Sequence, residues 1–246
     1  DQIWARELTH GFDPVYFGQF APMRKKISYA ASVPNGSIPE AEQEYFKNAL
    51  ASLAHISVRE EKLALAVEKL TGKKVTTVVD PTLLLEKADY EDLLYKDRIV
   101  KEKYIFAYYV VENEMLSKCA QRAAEAYGYR LIELHYKKTP KIKGENMIFD
   151  AGPSEFLTYI RDAELVLTNS FHGTVFSVLF QKLFYSVYKE NGRITNLLTF
   201  LNLERRHIET DAKMDFKDKI DYTTVAEKLC SYREKSVEYL EKGIEQ

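Results

Sequence analysis

His172 and Gly173 stand where an apolar run gives way to polar residues, a place where side chains can reach a ligand. They follow Leu165-Val166-Leu167, with Thr168, Asn169 and Ser170 in between. The apolar triplet reads as a buried parallel strand and the three polar residues as the cap of a helix. Residues 171–181 read as that helix, and residues 183–187 as the next strand. The first N–H groups of a helix have no internal partner and carry the positive end of its dipole, so the spot favours an anion. A glycine in the first turn costs about 1 kcal/mol against alanine, which close approach of a ligand or another backbone would justify. The plain alternative is a capped helix bearing an exposed histidine.

Three more charged residues are expected at strand ends. Arg59 follows the strand predicted at 55–58 and could grip a carboxylate or phosphate through paired hydrogen bonds; a surface salt bridge with Glu60, Glu61 or Glu68 is the alternative. Asp80 occupies the equivalent position after the strand at 75–79, where capping Thr82 or Leu83 is the simpler role. Arg193 follows Asn191-Gly192 and is expected at the start of a helix in the same crevice as His172, with a structural ion pair as its alternative. Arg59, Arg193 and His172, with Asn169 and Ser170 beside the histidine, suit a small dianionic or trianionic ligand. His10, His55, His135 and His207 share no ligand spacing and read as ordinary strand, loop or surface histidines.

Other chemistries lack their motifs. There is no GxGxxG or GxxxxGK[ST] phosphate loop. Thr168 stands where a serine-hydrolase elbow at Ser170 would need glycine. Cys119 and Cys230 are far apart with no zinc spacing, which points to a reducing compartment, expected to be the cytoplasm, and to no metal. A net charge of −2 gives no general pull toward nucleic acid, and no apolar run is long enough to span a membrane.

The elements that must carry these residues alternate as strand and helix over most of the 246 residues, which implies βαβ units and a parallel sheet. Strands are expected at 26–33, 55–58, 75–79, 104–111, 130–134, 147–149, 165–167 and 183–187. Helices are expected from Pro39 to about 54, from Arg59 to Thr71, at 113–127, after Gly152, at 171–181, after Arg193 to Leu203, and at 221–245. Residues 137–145 read as a polar loop. The fold class is α/β, with two Rossmann-like lobes and a cleft between them. Residues 1–90 form the C-terminal part of a first lobe, 91–220 a second, and 221–246 a helix packing back across both. The first lobe has few strands and the chain opens abruptly on Asp1-Gln2-Ile3-Trp4, so a truncated N-terminal lobe is expected.

The sequence resembles the polysaccharide pyruvyl transferase family. The likeness rests on Asp1-Gln2-Ile3-Trp4, Ile56-Ser57-Val58-Arg59-Glu60, Val79-Asp80-Pro81-Thr82-Leu83-Leu84, Gly152-Pro153-Ser154-Glu155-Phe156, and 163–177 with its Asn169-Ser170-Phe171-His172-Gly173, all in the family's order. The resemblance implies a GT-B-like fold and transfer of the enolpyruvyl unit of phosphoenolpyruvate to sugar hydroxyls of a glycan, giving a pyruvate ketal. It implies no cofactor beyond that donor substrate. Arg59 and the helix at His172 would hold the donor, with His172 as acid/base and Asn169, Ser170, Gly173, Arg193 and Asp80 lining the site. Some members have Arg-Leu-His-Gly where this chain has Ser170-Phe171-His172-Gly173, so one cation is missing, and Arg193 is a candidate replacement. The alternatives are a GT-B glycosyltransferase using a nucleotide-sugar and a catalytically inactive glycan-binding relative.

Overall fold

The computed structural model describes residues 2–20, 26–136, 146–209 and 218–245; the polar loop expected at 137–145 lies outside the described residues. In chain order the helices are α1 Gln43–Leu50, α2 Glu61–Thr71, α3 Glu114–Tyr127, α4 Pro153–Asp162, α5 Phe171–Leu179, α6 Gly192–Phe200 and α7 Tyr222–Glu245. The strands are β1 Ile56–Val58, β2 Val75–Thr77, β3 Tyr104–Tyr109, β4 Arg130–His135, β5 Met147–Ile148, β6 Leu165–Thr168, β7 Phe184–Val187 and β8 His207–Ile208. The chain divides into two compact units. One comprises Asp1–Leu84, Glu190–Leu197 and Val225–Gln246, the other Leu85–Lys189 and Leu198–Thr224.

In the first unit β1 and β2 pair in parallel, Ile56 opposite Val75. A continuous strand over 26–33 was expected beside them. The structure has instead two parallel bridges, Ile27 to His55 and Ala31 to Val58, interrupted at Ala30 with φ of 51°. Serine hydroxyls repair the break: Ala30 N–H donates to Ser57 Oγ at 3.1 Å, and Ser57 Oγ donates to the Ser28 carbonyl at 2.8 Å. Those bonds satisfy buried backbone groups that the ladder leaves over. α2 ends at Gly72, whose φ of 69° is the left-handed cap a glycine supplies without strain. Lys73 Nζ donates to the carbonyls of Ala51 and Leu53, both at 2.7 Å, just beyond α1.

α7 packs on this unit through named contacts. Val79 N–H donates to Ser236 Oγ at 3.0 Å, and Tyr239 Oη donates to the Ser28 carbonyl at 2.8 Å. The apolar core is aromatic at its N-terminal end. Trp4 stacks on Phe17 with centroids 5.7 Å apart and meets Phe46 edge-on at 6.2 Å, while its Nε1 donates to the Tyr16 carbonyl.

Among the described residues the second unit has a six-stranded parallel sheet in the order β5-β4-β3-β6-β7-β8. Chain direction across the sheet reverses at β3, so the crevice outside the carboxyl ends of β3 and β6 is a topological switch point. Ile105, Ala107 and Tyr109 of β3 bury one face against Leu116, Cys119, Ala120 and Ala123 of α3. On the other face Phe106 stacks on Tyr159 of α4 at 5.5 Å. Asn113 caps α3 by accepting from Leu116 N–H, and Gly128 ends it at φ 64°.

Trp4→Ala should destabilise the first unit by about 3–5 kcal/mol, the usual cost of emptying a large buried aromatic site. Denaturant titration followed by circular dichroism would check it.

Candidate active site

The first unit gathers its charges at the carboxyl edge of β1 and β2. Arg59 follows Val58 directly, and Asp80 lies three residues past Thr77, the register partner of Val58. Arg59 Nη1 forms an ion pair with Asp80 Oδ2, with side chains only 4% and 3% exposed. The other oxygen, Asp80 Oδ1, accepts from Thr82 N–H at 3.0 Å and Thr82 Oγ1 at 2.6 Å. Asp80 is therefore both the turn cap and the partner of Arg59. The surface salt bridges to Glu60, Glu61 or Glu68 considered for Arg59 give way to a buried pair across two strand ends.

Glu60 is 2% exposed. Its Oε1 accepts from Ser32 Oγ at 2.7 Å, while among the described residues Oε2 is buried with no hydrogen-bond partner. Burial pushes this carboxyl above its ordinary range, and Ser32, Arg59 and Arg193 pull against that rise. Arg193 lies in the first turn of α6 and belongs to the first unit. The reason is local: Asn196 Nδ2 donates to the Arg59 carbonyl at 3.3 Å, and a Cβ on Gly192 would sit 3.5 Å from the Asn35 backbone. Burial and the neighbouring Arg59 lower the Arg193 pKa to about 10, with Glu60 and Asp80 opposing; it stays cationic at neutral pH. Arg59, Glu60, Asp80 and Arg193 thus form one electrostatic cluster. Sequence reasoning saw Glu60 as a salt-bridge partner and as part of the family-like stretch 56–60, and assigned it no role in the site. The available signal was its place as N-cap of α2, where glutamate is uncommon and here makes no side-chain cap.

In the second unit the stretch 165–180 is buried throughout except at His172. Ser170 caps α5 by accepting from Gly173 N–H at 3.1 Å. Thr168 Oγ1 donates to the Tyr108 carbonyl and accepts from Ser170 N–H. Asn169 spans the switch point: its Oδ1 accepts from Val110 N–H at 2.9 Å and its Nδ2 donates to the Val111 carbonyl at 2.6 Å. Gly173 is required by packing, because a Cβ there would lie 2.5 Å from Thr168 Oγ1 and 3.0 Å from Thr168 Cβ. The close approach that justifies the glycine is therefore made by the strand before it. Asn169, Ser170 and Gly173 build the scaffold, and His172 is presented from its first turn with Phe171 edge-on at 5.3 Å.

Of the other histidines, His135 and His207 lie in strands, each packed on aromatic rings. His135, at the end of β4, is buried between Tyr109 at 4.3 Å and Phe149 at 5.6 Å, and its Nδ1 lies 3.0 Å from Glu112 Oε1. His207 stacks on Tyr188 at 3.9 Å, with Nε2 2.8 Å from the Tyr188 carbonyl.

Residues 8–189 match the family model described as polysaccharide pyruvyl transferase. No curated protein matches the chain. Among solved structures it is similar to a protein from Listeria monocytogenes described as a UDP-N-acetylglucosamine 2-epimerase, at 9% identity and a TM-score of 0.48. That likeness covers 85% of this chain and 60% of the other, so the chain spans less than two thirds of its neighbour's length. Among the described residues no helix is long and apolar enough to cross a membrane.

Gly173→Ala should lower stability by roughly 1–3 kcal/mol, because overpacking against Thr168 outweighs the gain in helix propensity. Unfolding midpoints of the two proteins would measure it. Glu60 gives a signed pH effect. Its pKa is raised in the folded state, so the fold binds the extra proton, and stability is lost as pH rises through that titration. Glu60→Gln should remove this loss: the variant's Tm relative to wild type should increase with pH, with the gain confined to the alkaline side. Melting curves across pH without ligand would show it.

Proposed function

The chain belongs to the polysaccharide pyruvyl transferase family, and on that premise we propose that it transfers the pyruvyl unit of phosphoenolpyruvate to hydroxyls of a sugar in a polysaccharide or glycan precursor. The product is a pyruvate ketal. The observation that supports this reading best is one electrostatic cluster holding two cations, Arg59 buried at the end of β1 and Arg193 half-buried in the first turn of α6. A small polyanion is the ligand class such a cluster suits.

In the proposed reaction the methylene carbon of the donor gains a proton, leaving a cationic carbon stabilised by its ester oxygen. A sugar hydroxyl attacks that carbon and loses its proton. The C–O bond to phosphate breaks, phosphate departs with the electron pair, and a second hydroxyl attacks the cationic carbon so formed, closes the ketal and loses its proton. His172 is assigned the proton transfers, since an imidazole both gives and accepts protons near neutral pH. Arg59 and Arg193 are assigned the charge of the carboxylate and departing phosphate. Asp80 orients Arg59, and Asn169, Ser170 and Gly173 set the first turn from which His172 projects. The same reading takes the two units as lobes of a GT-B-like transferase. It needs no cofactor besides the donor.

The test is phosphate release from phosphoenolpyruvate in the presence of glycan acceptors, with loss of the donor's vinyl proton signals. His172→Asn should lower kcat by about two to four orders of magnitude while changing donor affinity much less. Acceptor-dependent turnover of a nucleotide-sugar, with none from phosphoenolpyruvate, would overturn the reading in favour of a glycosyltransferase. Binding of glycan without turnover of either donor would leave a glycan-binding protein.

A further inference from the structure

The cluster at Arg59 has a charge balance that bears on how an anion could enter it. Two guanidiniums face two carboxyl groups. With both carboxyls ionised the cluster is neutral and offers an anion no net attraction. Asp80 cannot be the group that changes, because one oxygen is committed to Arg59 and the other to Thr82. Glu60 is differently held. Ser32 fixes Oε1, and Oε2 is buried with no hydrogen-bond partner among the described residues. The loop at Gly36, with φ 62°, passes over the base of this side chain: a Cβ there would stand 3.6 Å from Glu60 Cβ.

We propose that Glu60 couples anion binding to proton uptake: as an anion settles beside Arg59 and Arg193, Glu60 Oε2 takes a proton from solvent and donates it as a hydrogen bond to an oxygen of the anion. The proposal takes from the pyruvyl transferase reading only that this cluster is an anion site. The step makes one O–H bond at Glu60 and breaks none in the ligand. It turns a neutral cluster into one of charge +1 and gives the buried Oε2 the partner it lacks. An arriving anion is a like charge to a carboxylate and so favours its protonated form. Burial already raises this carboxyl's pKa, so the proton is needed at a cost the ligand can offset. The other titratable groups within electrostatic reach are not in competition. Tyr232 on α7 and Tyr29 beside β1 are phenols whose pKa values burial pushes upward, and Asp80 is locked. Glu61, on the same helix as Glu60, is exposed to solvent.

The experiment uses sulfate, which carries no titrating proton near neutral pH, in calorimetric titrations repeated in buffers of different ionisation enthalpy. Wild type should take up close to one proton per sulfate, and its affinity should fall about tenfold per pH unit where free Glu60 is ionised. Glu60→Gln should bind sulfate with no proton uptake and a flat pH profile. As a readout needing no variant, the infrared difference spectrum of wild type on adding sulfate should show a carboxylate band replaced by a protonated-carboxyl band. Sulfate binding without proton uptake, uptake that persists in Glu60→Gln, an unchanged infrared carboxyl region, or no sulfate binding at all would each overturn the proposal. Proton-coupled sulfate binding in a protein that never turns over phosphoenolpyruvate would leave the proposal standing and remove the transferase reading.

Discussion

The buried ion pair of Arg59 with Asp80 is the constraint on which the carboxyl edge of the first unit depends. Taking two charges out of water is expensive, and such a pair seldom stabilises a fold more than apolar residues of similar size would. What the pair does supply is position. Asp80 is fixed by its own turn through Thr82, and it fixes Arg59 in turn. The guanidinium at the end of β1 therefore has little rotamer freedom left to lose when a ligand arrives, and that is the advantage of a preorganised planar fork over a mobile surface cation.

The second unit solves a different problem. A switch point leaves strand-end backbone groups that no neighbouring strand satisfies, and here Asn169 takes that part with both ends of its amide. Thr168 and Ser170 pin the turn, and Gly173 lets α5 lie directly on Thr168. Four residues that look in sequence like a polar ligand-binding loop are consumed in holding the turn rigid. The consequence for function is a well-defined placement of one imidazole on a buried support, where a loop of free polar side chains would place it loosely.

Much of the architecture was legible in the amino acids. The strands expected at 104–111 and 165–167 form over 104–109 and 165–168, and the helices expected to end near Thr71 and to run over 113–127 do so, with Gly72 and Gly128 as left-handed caps and Asn113 as N-cap. The break at Ala30 was not legible, because alanine carries no mark of positive φ and the serines that repair it come from two separate segments. Arg59 and Asp80 are 21 residues apart, and their pairing depends on strand register, which spacing alone does not fix. Glu60 was hidden for the opposite reason. It lies next to an arginine in sequence, which suggests a surface pair, whereas the structure turns it away toward Ser32. Gly173 was flagged correctly as costly, but the reason is a strand residue five positions earlier.

Arg193 carries the argument one step further. Its guanidinium is partly desolvated beside Arg59, and both effects bring its pKa down to about 10. Two like charges held near one another in a poorly hydrated place repel, and Glu60 and Asp80 oppose that repulsion. With Glu60 protonated, as proposed, an entering anion would meet a cluster of charge +1 and would relieve the repulsion between the guanidiniums as well as making its own contacts. The same electrostatics disfavour any cationic ligand at this edge. On that proposal, selectivity for anions is a property of the cluster as a whole, and no single arginine carries it.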